Sequence, residues 1–153
     1  MNVLVVYSTK FGNTERLARA IGSALEETHT VRVVDADAAE RLHGDGVDLL
    51  IVGAPTQAHG LLLGVRGFLR VLKDRGFSGR RAAAFDTRMV GERSKTGAAS
   101  EVIGRLLKRA GLTLVVEPES FLVADFKGPL ADREESRAIA WAQRVASHEV
   151  AVA

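Results

Sequence analysis

Apolar residues recur with two different periods along the chain and divide it into alternating strands and helices. Continuous aliphatic and β-branched runs, typical of strands buried on both faces of a sheet, occupy residues 2–7, 31–34, 48–53, 81–85, 112–116 and 121–124. The last two runs flank Pro118 and are predicted to be two parts of one strand region. Apolar residues at helical spacing predict helices over residues 13–27, 64–75, 98–110 and 132–149, with one short helical turn at 38–42.

This alternation predicts an α/β fold in which a parallel sheet is covered by helices on both faces. The length of 153 residues fits a single domain, 1–153, without linkers or repeats. No run approaches the roughly 18 apolar residues of a membrane-spanning helix, and the apolar N-terminal stretch is too short for a signal peptide. The chain has no cysteine, which excludes disulfides and thiolate metal sites. We therefore expect a cytoplasmic protein with no membrane partner.

Positive charge is concentrated in the middle of the chain. The formal net charge is only +2, but residues 66–109 contain twelve Lys or Arg against four Asp or Glu. A basic segment of this kind suits nucleic acid, an acidic protein partner or an anionic cofactor. No recognised nucleic-acid motif accompanies it, so nucleic acid is not expected as a partner. The histidines show no metal-ligand spacing, and no metal site is predicted.

The turn after the first predicted strand is the most informative segment. Ser8, Thr9, Asn13 and Thr14 surround Gly12 where the strand ends and a helix begins. Hydroxyl groups, free backbone N–H groups and the positive end of a helix dipole then converge, and a phosphate monoester is the natural ligand of such a turn. The alternative is a simple helix cap, although a cap needs only one such residue.

This turn resembles the phosphate loop of flavodoxins, in which a Thr/Ser-x-Thr-Gly-Asn-Thr-Glu motif follows the first strand and binds the phosphate of FMN. The match rests on Gly12-Asn13-Thr14-Glu15, with Thr9 at the first hydroxyl position. Phe11 replaces the second Thr of the motif and can offer only its backbone N–H. The phosphate-binding residues implied by the resemblance are Ser8, Thr9, Lys10, Phe11, Gly12, Asn13 and Thr14.

The same resemblance implies a flavodoxin-like three-layer sandwich with a five-stranded parallel sheet in the order 2-1-3-4-5 and the ligand at the carboxyl ends of the strands. Two further segments would then hold the isoalloxazine ring. They are the loop after the third strand (Pro55, Thr56, Gln57, Ala58, His59, Gly60) and the residues after the fourth strand (Asp86, Thr87, Arg88).

Each of these two segments also has a simpler explanation. The first can be an ordinary strand-to-helix connection, for which Pro55 and Gly60 suffice. Asp86 can equally be a strand-end residue paired with Arg88. Neither segment contains the Tyr or Trp that flavodoxins usually stack on the ring, so the candidates for covering it are His59, Leu61 and Met89.

The function implied by the resemblance is that of an FMN-binding electron-transfer protein, in which the flavin supplies the chemistry and no catalytic side chain is predicted. It would act with redox partner proteins, acidic ones among them, as a monomer or a small homo-oligomer. One alternative is an FMN-dependent NAD(P)H:quinone oxidoreductase. A second alternative is a flavodoxin-fold interaction module that has lost its flavin, because the stacking aromatic is missing from both segments.

Overall fold

The structure is a computed structural model that describes residues 1–57, 61–91 and 96–148. Its strands are β1 (Asn2–Tyr7), β2 (Thr30–Asp35), β3 (Leu49–Pro55), β4 (Arg81–Met89), β5 (Thr113–Leu114) and β6 (Glu119–Val123). Its helices are α1 (Asn13–Leu25), α2 (Ala36–Ala39), α3 (Leu63–Val71), α4 (Ala99–Arg109) and α5 (Glu134–Ser147). Within these residues, no helix is both long enough and apolar enough to cross a bilayer.

All neighbouring strands in the sheet are parallel, in the order β2-β1-β3-β4, with β5 and β6 both beside β4. β5 pairs with the first residues of β4, and β6 pairs with its last residues. The two segments that flank Pro118 therefore occupy one position in the sheet. This arrangement confirms the predicted order 2-1-3-4-5 and the predicted division of the last strand.

β4 is longer than the sequence predicted. It continues beyond Phe85 to Met89, because β6 provides hydrogen-bonding partners along this whole stretch. The prediction that Asp86, Thr87 and Arg88 follow the fourth strand was therefore wrong: they are its last residues. Their side chains alternate between the two faces of the sheet, as they would not in a loop.

The core lies in two layers, one on each face of the sheet. Along β1, Leu4 and Val6 pack into the layer covered by α3 and α4, whereas Val3 and Val5 pack into the layer covered by α1 and α5. This alternation follows from the two-residue period of a strand. Trp141 of α5 is 2% exposed and packs edge-on against two phenylalanine rings in the second layer.

The strand register shows which parts of the chain meet at the carboxyl edge of the sheet. Tyr7, Gly53 and Phe85 lie side by side on β1, β3 and β4. Beyond this row the chain turns into α1 after β1, whereas β3 and β4 continue as strands. The turn after β1 and the ends of β3 and β4 therefore meet at one edge of the sheet, which is where ligands bind in open parallel sheets.

Candidate functional site

The first N–H groups of α1, at the turn after β1, have no acceptor among the described residues. Gly12 occupies the N-cap position with φ of 91°, a left-handed conformation that glycine adopts without steric cost, and no side chain caps the helix. Its own N–H donates to Oγ1 of Thr9 at 3.0 Å. The first bond within the helix is from Arg16 N–H to the Gly12 carbonyl, so the three preceding N–H groups have no partner in the helix. Simple capping by a hydroxyl or amide side chain is therefore not what these residues do.

Asn13 and Thr14, which carry two of these three N–H groups, line a cleft of about 330 Å³ at the carboxyl edge of the sheet. Its walls come from the turn after β1, the ends of β3, β4 and β6, and the segments that follow them. The described residues that line it are Thr9, Lys10, Phe11, Asn13, Thr14, Pro55, Thr56, Gln57, Thr87, Arg88, Met89, Thr96, Val123 and Phe126. Ten of the sixteen residues predicted to hold the phosphate or the ring are in this set, as is Met89, a candidate for covering the ring, and three separate segments of the chain thus meet at one site.

Of those sixteen residues, three do not line the cleft and three more lie outside the described residues. Leu61, a candidate for covering the ring, is buried and does not line the cleft either. Gly12 shapes the turn through its backbone, and Ser8 is buried with its N–H donating to the Gly53 carbonyl. Asp86 is fully buried. The residues Ala58, His59 and Gly60 lie outside the part of the chain that the structure describes.

Asp86 stabilises the start of α4. Its Oδ2 accepts a hydrogen bond from the Ser100 N–H at 2.8 Å. Burial raises the pKa of the Asp86 carboxyl group. The bond from Ser100 N–H, the hydroxyls of Ser100 and Ser120, and the charge of Arg88 act in the opposite direction but do not outweigh burial. This placement corrects the predicted contact of Asp86 with a ring. Among the described residues, Asp86 forms no ion pair with Arg88 either, because Arg88 donates to the Gly91 carbonyl at 2.7 Å instead.

Thr56 has a similar role on the cleft side of the same helix. Its Oγ1 accepts from the Ala99 N–H at 2.9 Å. Because the N-cap residue Ala98 has no polar side chain, α4 is capped by groups from β4 and from the segment after β3. The sequence suggested both residues as ligand contacts, and neither capping role was foreseen.

A buried pair of hydroxyl groups joins the turn to the sheet. Oγ1 of Thr14 lies 2.8 Å from Oγ1 of Thr87, and both residues are less than 5% exposed. The hydroxyl of Thr14 therefore bonds to β4, whereas the N–H of Thr14 is one of the donors at the start of α1 that have no partner in the helix. The pair fixes the position of the helix start relative to the end of β4.

Two phenylalanine rings lie at the mouth of the cleft. Phe11 and Phe126 pack with their centroids 5.3 Å apart, and Phe126 remains 59% exposed. Nδ2 of Asn13 donates to the Lys127 carbonyl at 3.1 Å, which ties the segment after β6 to the turn after β1. The ammonium groups of Lys10 and Lys127 lie over the Phe11 ring, at 5.5 and 5.9 Å from its centroid.

Phe126, Val123 and Lys127 were missed by reasoning from the sequence, which considered only the segments after the first, third and fourth strands. A signal was available, because Asp125-Phe126-Lys127-Gly128 directly follows the last strand and must emerge at the same edge of a parallel sheet.

The charge of the site suits an anion. Lys10 and Arg88 line the cleft, Lys127 lies beside it, and no acidic residue is among the described residues that line it. The apolar part of the wall is formed by Pro55, Met89, Val123 and the two phenylalanines. The cleft therefore combines an anion-binding end with an apolar surface, which is the arrangement expected for a phosphorylated aromatic ligand.

Comparison with known proteins agrees with this geometry. A family model of the flavodoxin domain matches residues 4–119, which is most of the chain. Members of the flavodoxin family bind FMN. No curated protein sequence matches the chain significantly.

Solved structures share the fold across nearly the whole chain. Flavodoxin 2 from Bacillus cereus superimposes with a TM-score of 0.79 at 21% identity, covering 95% of this chain and 98% of that protein. A flavodoxin from the domain Archaea has a TM-score of 0.72 at 23% identity, covering 95% and 99%. Rubredoxin oxygen:oxidoreductase from Desulfovibrio gigas has a TM-score of 0.73 at 22% identity, and the match covers 95% of this chain but only 35% of that larger one. These superpositions establish the fold, and the domain match establishes the family: the chain belongs to the flavodoxin family.

Proposed function

We propose that this protein binds FMN in the cleft and transfers electrons between redox partners. The observation that supports this most is the uncapped start of α1, where free N–H groups open into the cleft beside the Thr9 hydroxyl. Such a cluster of donors at a helix N-terminus favours an anion, and a phosphate dianion would satisfy it.

The residues fit each part of FMN. The phosphate would accept from the N–H groups at the start of α1 and from the Thr9 hydroxyl, which can donate while its oxygen accepts from Gly12 N–H. Lys10 would add positive charge. The ring would lie against the apolar wall that includes Met89, Val123 and Phe126. A cleft of about 330 Å³ lies at the small end of the range for ligand pockets.

The protein would bind, orient and partly shield the cofactor, and FMN when bound supplies one- and two-electron chemistry. Lys10, Lys127 and Arg88 make the surroundings of the cleft positive. Complementary charge accelerates association, so an acidic redox partner suits this edge better than a basic one.

The proposal is tested by titrating the purified protein with FMN and with riboflavin. FMN should bind at least about tenfold more tightly, because each charge-assisted hydrogen bond to the phosphate contributes roughly 1.5–3 kcal/mol. Thr9→Val should weaken FMN about tenfold and leave riboflavin unchanged, whereas the matched control Thr9→Ser keeps the hydroxyl and should retain the affinity. Equal affinities of the wild type for the two ligands would contradict the phosphate site.

Electron transfer is tested on the FMN-loaded protein. After chemical reduction it should reduce an acidic acceptor protein more slowly as salt is added, whereas reduction of a basic c-type cytochrome should become faster, so that each acceptor is compared only with itself. Steady oxidation of NAD(P)H with a quinone would instead indicate the oxidoreductase. Failure to bind either flavin would indicate an interaction module.

A further inference from the structure

A second concave surface lies on the face of the sheet that α3 and α4 cover, and it shares no described residue with the cleft. This groove encloses about 390 Å³ between the two helices. Its floor is aliphatic and includes Leu69, Val102, Leu106 and Ala110. Its rim carries Arg66, Arg70, Lys73 and Arg109, and we call the whole the cationic groove.

The four cations of the groove have no acidic partner among the described residues. No acidic residue is among the described residues that line it, and within the described parts of the chain none of the four forms an ion pair. Elsewhere on the molecule, by contrast, Arg16, Arg19 and Arg137 are each paired with a glutamate. Four of the twelve Lys and Arg residues of segment 66–109 are thus displayed at this groove without an ion pair among the described residues.

The four cations lie on the two sides of the groove. Arg66, Arg70 and Lys73 are spaced by four and three residues, so they follow one side of α3 and the turn after it, opposite Arg109 at the end of α4. Cations near a helix C-terminus are favoured by the helix dipole, which explains Arg70 and Arg109 in part. This reason does not extend to Arg66, which lies in the first half of α3.

An aliphatic floor between two helices with cations on both walls is complementary to a third helix that has apolar residues on one side and carboxylates beside them. Among the described residues, the floor offers no aromatic ring on which a nucleic-acid base could stack, which disfavours a single-stranded nucleic acid. We propose that the cationic groove docks an acidic amphipathic helix of a partner protein. Because the groove and the cleft are separate, docking leaves the cleft accessible and does not depend on FMN.

The test uses a roughly 18-residue helical peptide with leucines on one face and glutamates flanking them, and a second peptide in which every glutamate is glutamine. The acidic peptide should bind and shift the NMR signals of α3 and α4, and the glutamine peptide should bind at least about tenfold more weakly. The charge reversal Arg70→Glu/Lys73→Glu should weaken the acidic peptide by about tenfold or more, and added salt should weaken it in the wild type.

The matched control is Arg105→Glu/Lys108→Glu, which changes the net charge equally on exposed residues of α4 outside the groove. This control should bind the acidic peptide like the wild type. Equal losses in the two variants, or no peptide binding, would overturn the proposal. If the peptide does not bind, a duplex oligonucleotide and anionic lipid vesicles are tried instead. Binding of either one that is lost in Arg70→Glu/Lys73→Glu, but not in the control, would show that the groove has a different ligand and would also overturn the proposal. FMN affinity should be the same in both variants, so failure here is distinguishable from failure of the proposed cofactor site.

Discussion

At the scale of single residues, Phe126 is the side chain whose placement most needs an explanation. It is a large apolar residue that stays 59% exposed, yet its segment is held in place by the hydrogen bond from Asn13 to the Lys127 carbonyl. Contact with Phe11 covers only part of the ring. A planar ligand in the cleft would cover more of the exposed face, so we interpret Phe126 as the aromatic that the segments after β3 and β4 lack.

Phe126→Ala should weaken FMN and riboflavin alike. An aromatic pair contributes roughly 0.5–1.5 kcal/mol beyond area burial, so the expected loss is about two- to tenfold for each ligand. Flavin fluorescence titration measures both affinities, and Phe126→Trp should in addition quench the fluorescence of the bound flavin. The control is Leu63→Ala, which removes an exposed apolar side chain outside the lining of the cleft. A loss confined to FMN would mean that Phe126 acts only through the phosphate turn.

At the scale of elements, the start of α4 depends on groups from the neighbouring segments of the sheet. Thr56 and Asp86 accept from two successive N–H groups of a helix whose own N-cap residue is an alanine. A cap of this kind couples the helix to β4 and to one wall of the cleft. It also places an ionisable group in the interior, where burial disfavours its charged form.

This burial predicts a pH dependence. The folded state holds the Asp86 proton more tightly than the unfolded state, since burial raises the carboxyl pKa above the ordinary value of 3.8. The resulting stabilisation is present in full below pH 3.8 and is lost as the pH rises to the folded-state pKa. Asp86→Asn keeps an oxygen that accepts from Ser100 N–H but does not titrate. The free energy of unfolding of the variant, relative to wild type, should therefore rise with pH across that interval.

Urea unfolding from about pH 4 to about pH 8 measures this difference, because the linear extrapolation gives the free energy of unfolding at each pH. A difference that stays constant with pH, or one that falls as the pH rises, would show that burial does not raise the carboxyl pKa of Asp86. Thr56→Val serves as the control, since it removes the neighbouring cap without removing an ionisable group and should shift the stability by the same amount at every pH.

At the scale of the whole molecule, ligand binding and folding are linked. The cleft is assembled from the turn after β1, the ends of β3, β4 and β6 and the segments that follow them, so it exists only in the folded chain. A ligand that binds only the folded state stabilises it by mass action. Trp141, the single tryptophan, lies in the buried aromatic cluster with Phe85 and Phe121, and its fluorescence therefore reports global unfolding.

FMN at a hundredfold excess over its Kd should stabilise the protein by about 2.7 kcal/mol, which corresponds to a rise in Tm of roughly 5–10 °C for a domain of this size. Riboflavin at the same concentration should raise Tm less, because it lacks the phosphate. Thermal unfolding followed by Trp141 fluorescence or calorimetry measures both shifts. Equal shifts would argue against a phosphate-binding turn, and no shift with either ligand would argue against a flavin site.

The sequence by itself determined the features that are encoded locally. Uninterrupted β-branched runs and helical spacing predicted the strands and helices to within a few residues, because the two periods are set by backbone geometry. The turn around Gly12 was recognisable because its donors lie within seven consecutive residues. Most of the residues that line the cleft followed from that turn and from the rule that parallel strands end at the same edge. For Ala58, His59 and Gly60 the sequence prediction stands untested.

Tertiary structure decided what depends on residues far apart in the chain. The length of β4 is set by pairing with β6, and nothing in the sequence near Arg88 encodes that partner. The burial of Asp86 and its bond to Ser100 follow from the packing of α4 on β4. Phe11 and Phe126 are far apart in the sequence, and only the folding of the complete sheet brings their rings into contact. A local pattern can specify an element and its ends, but contacts between elements depend on packing that no single segment contains.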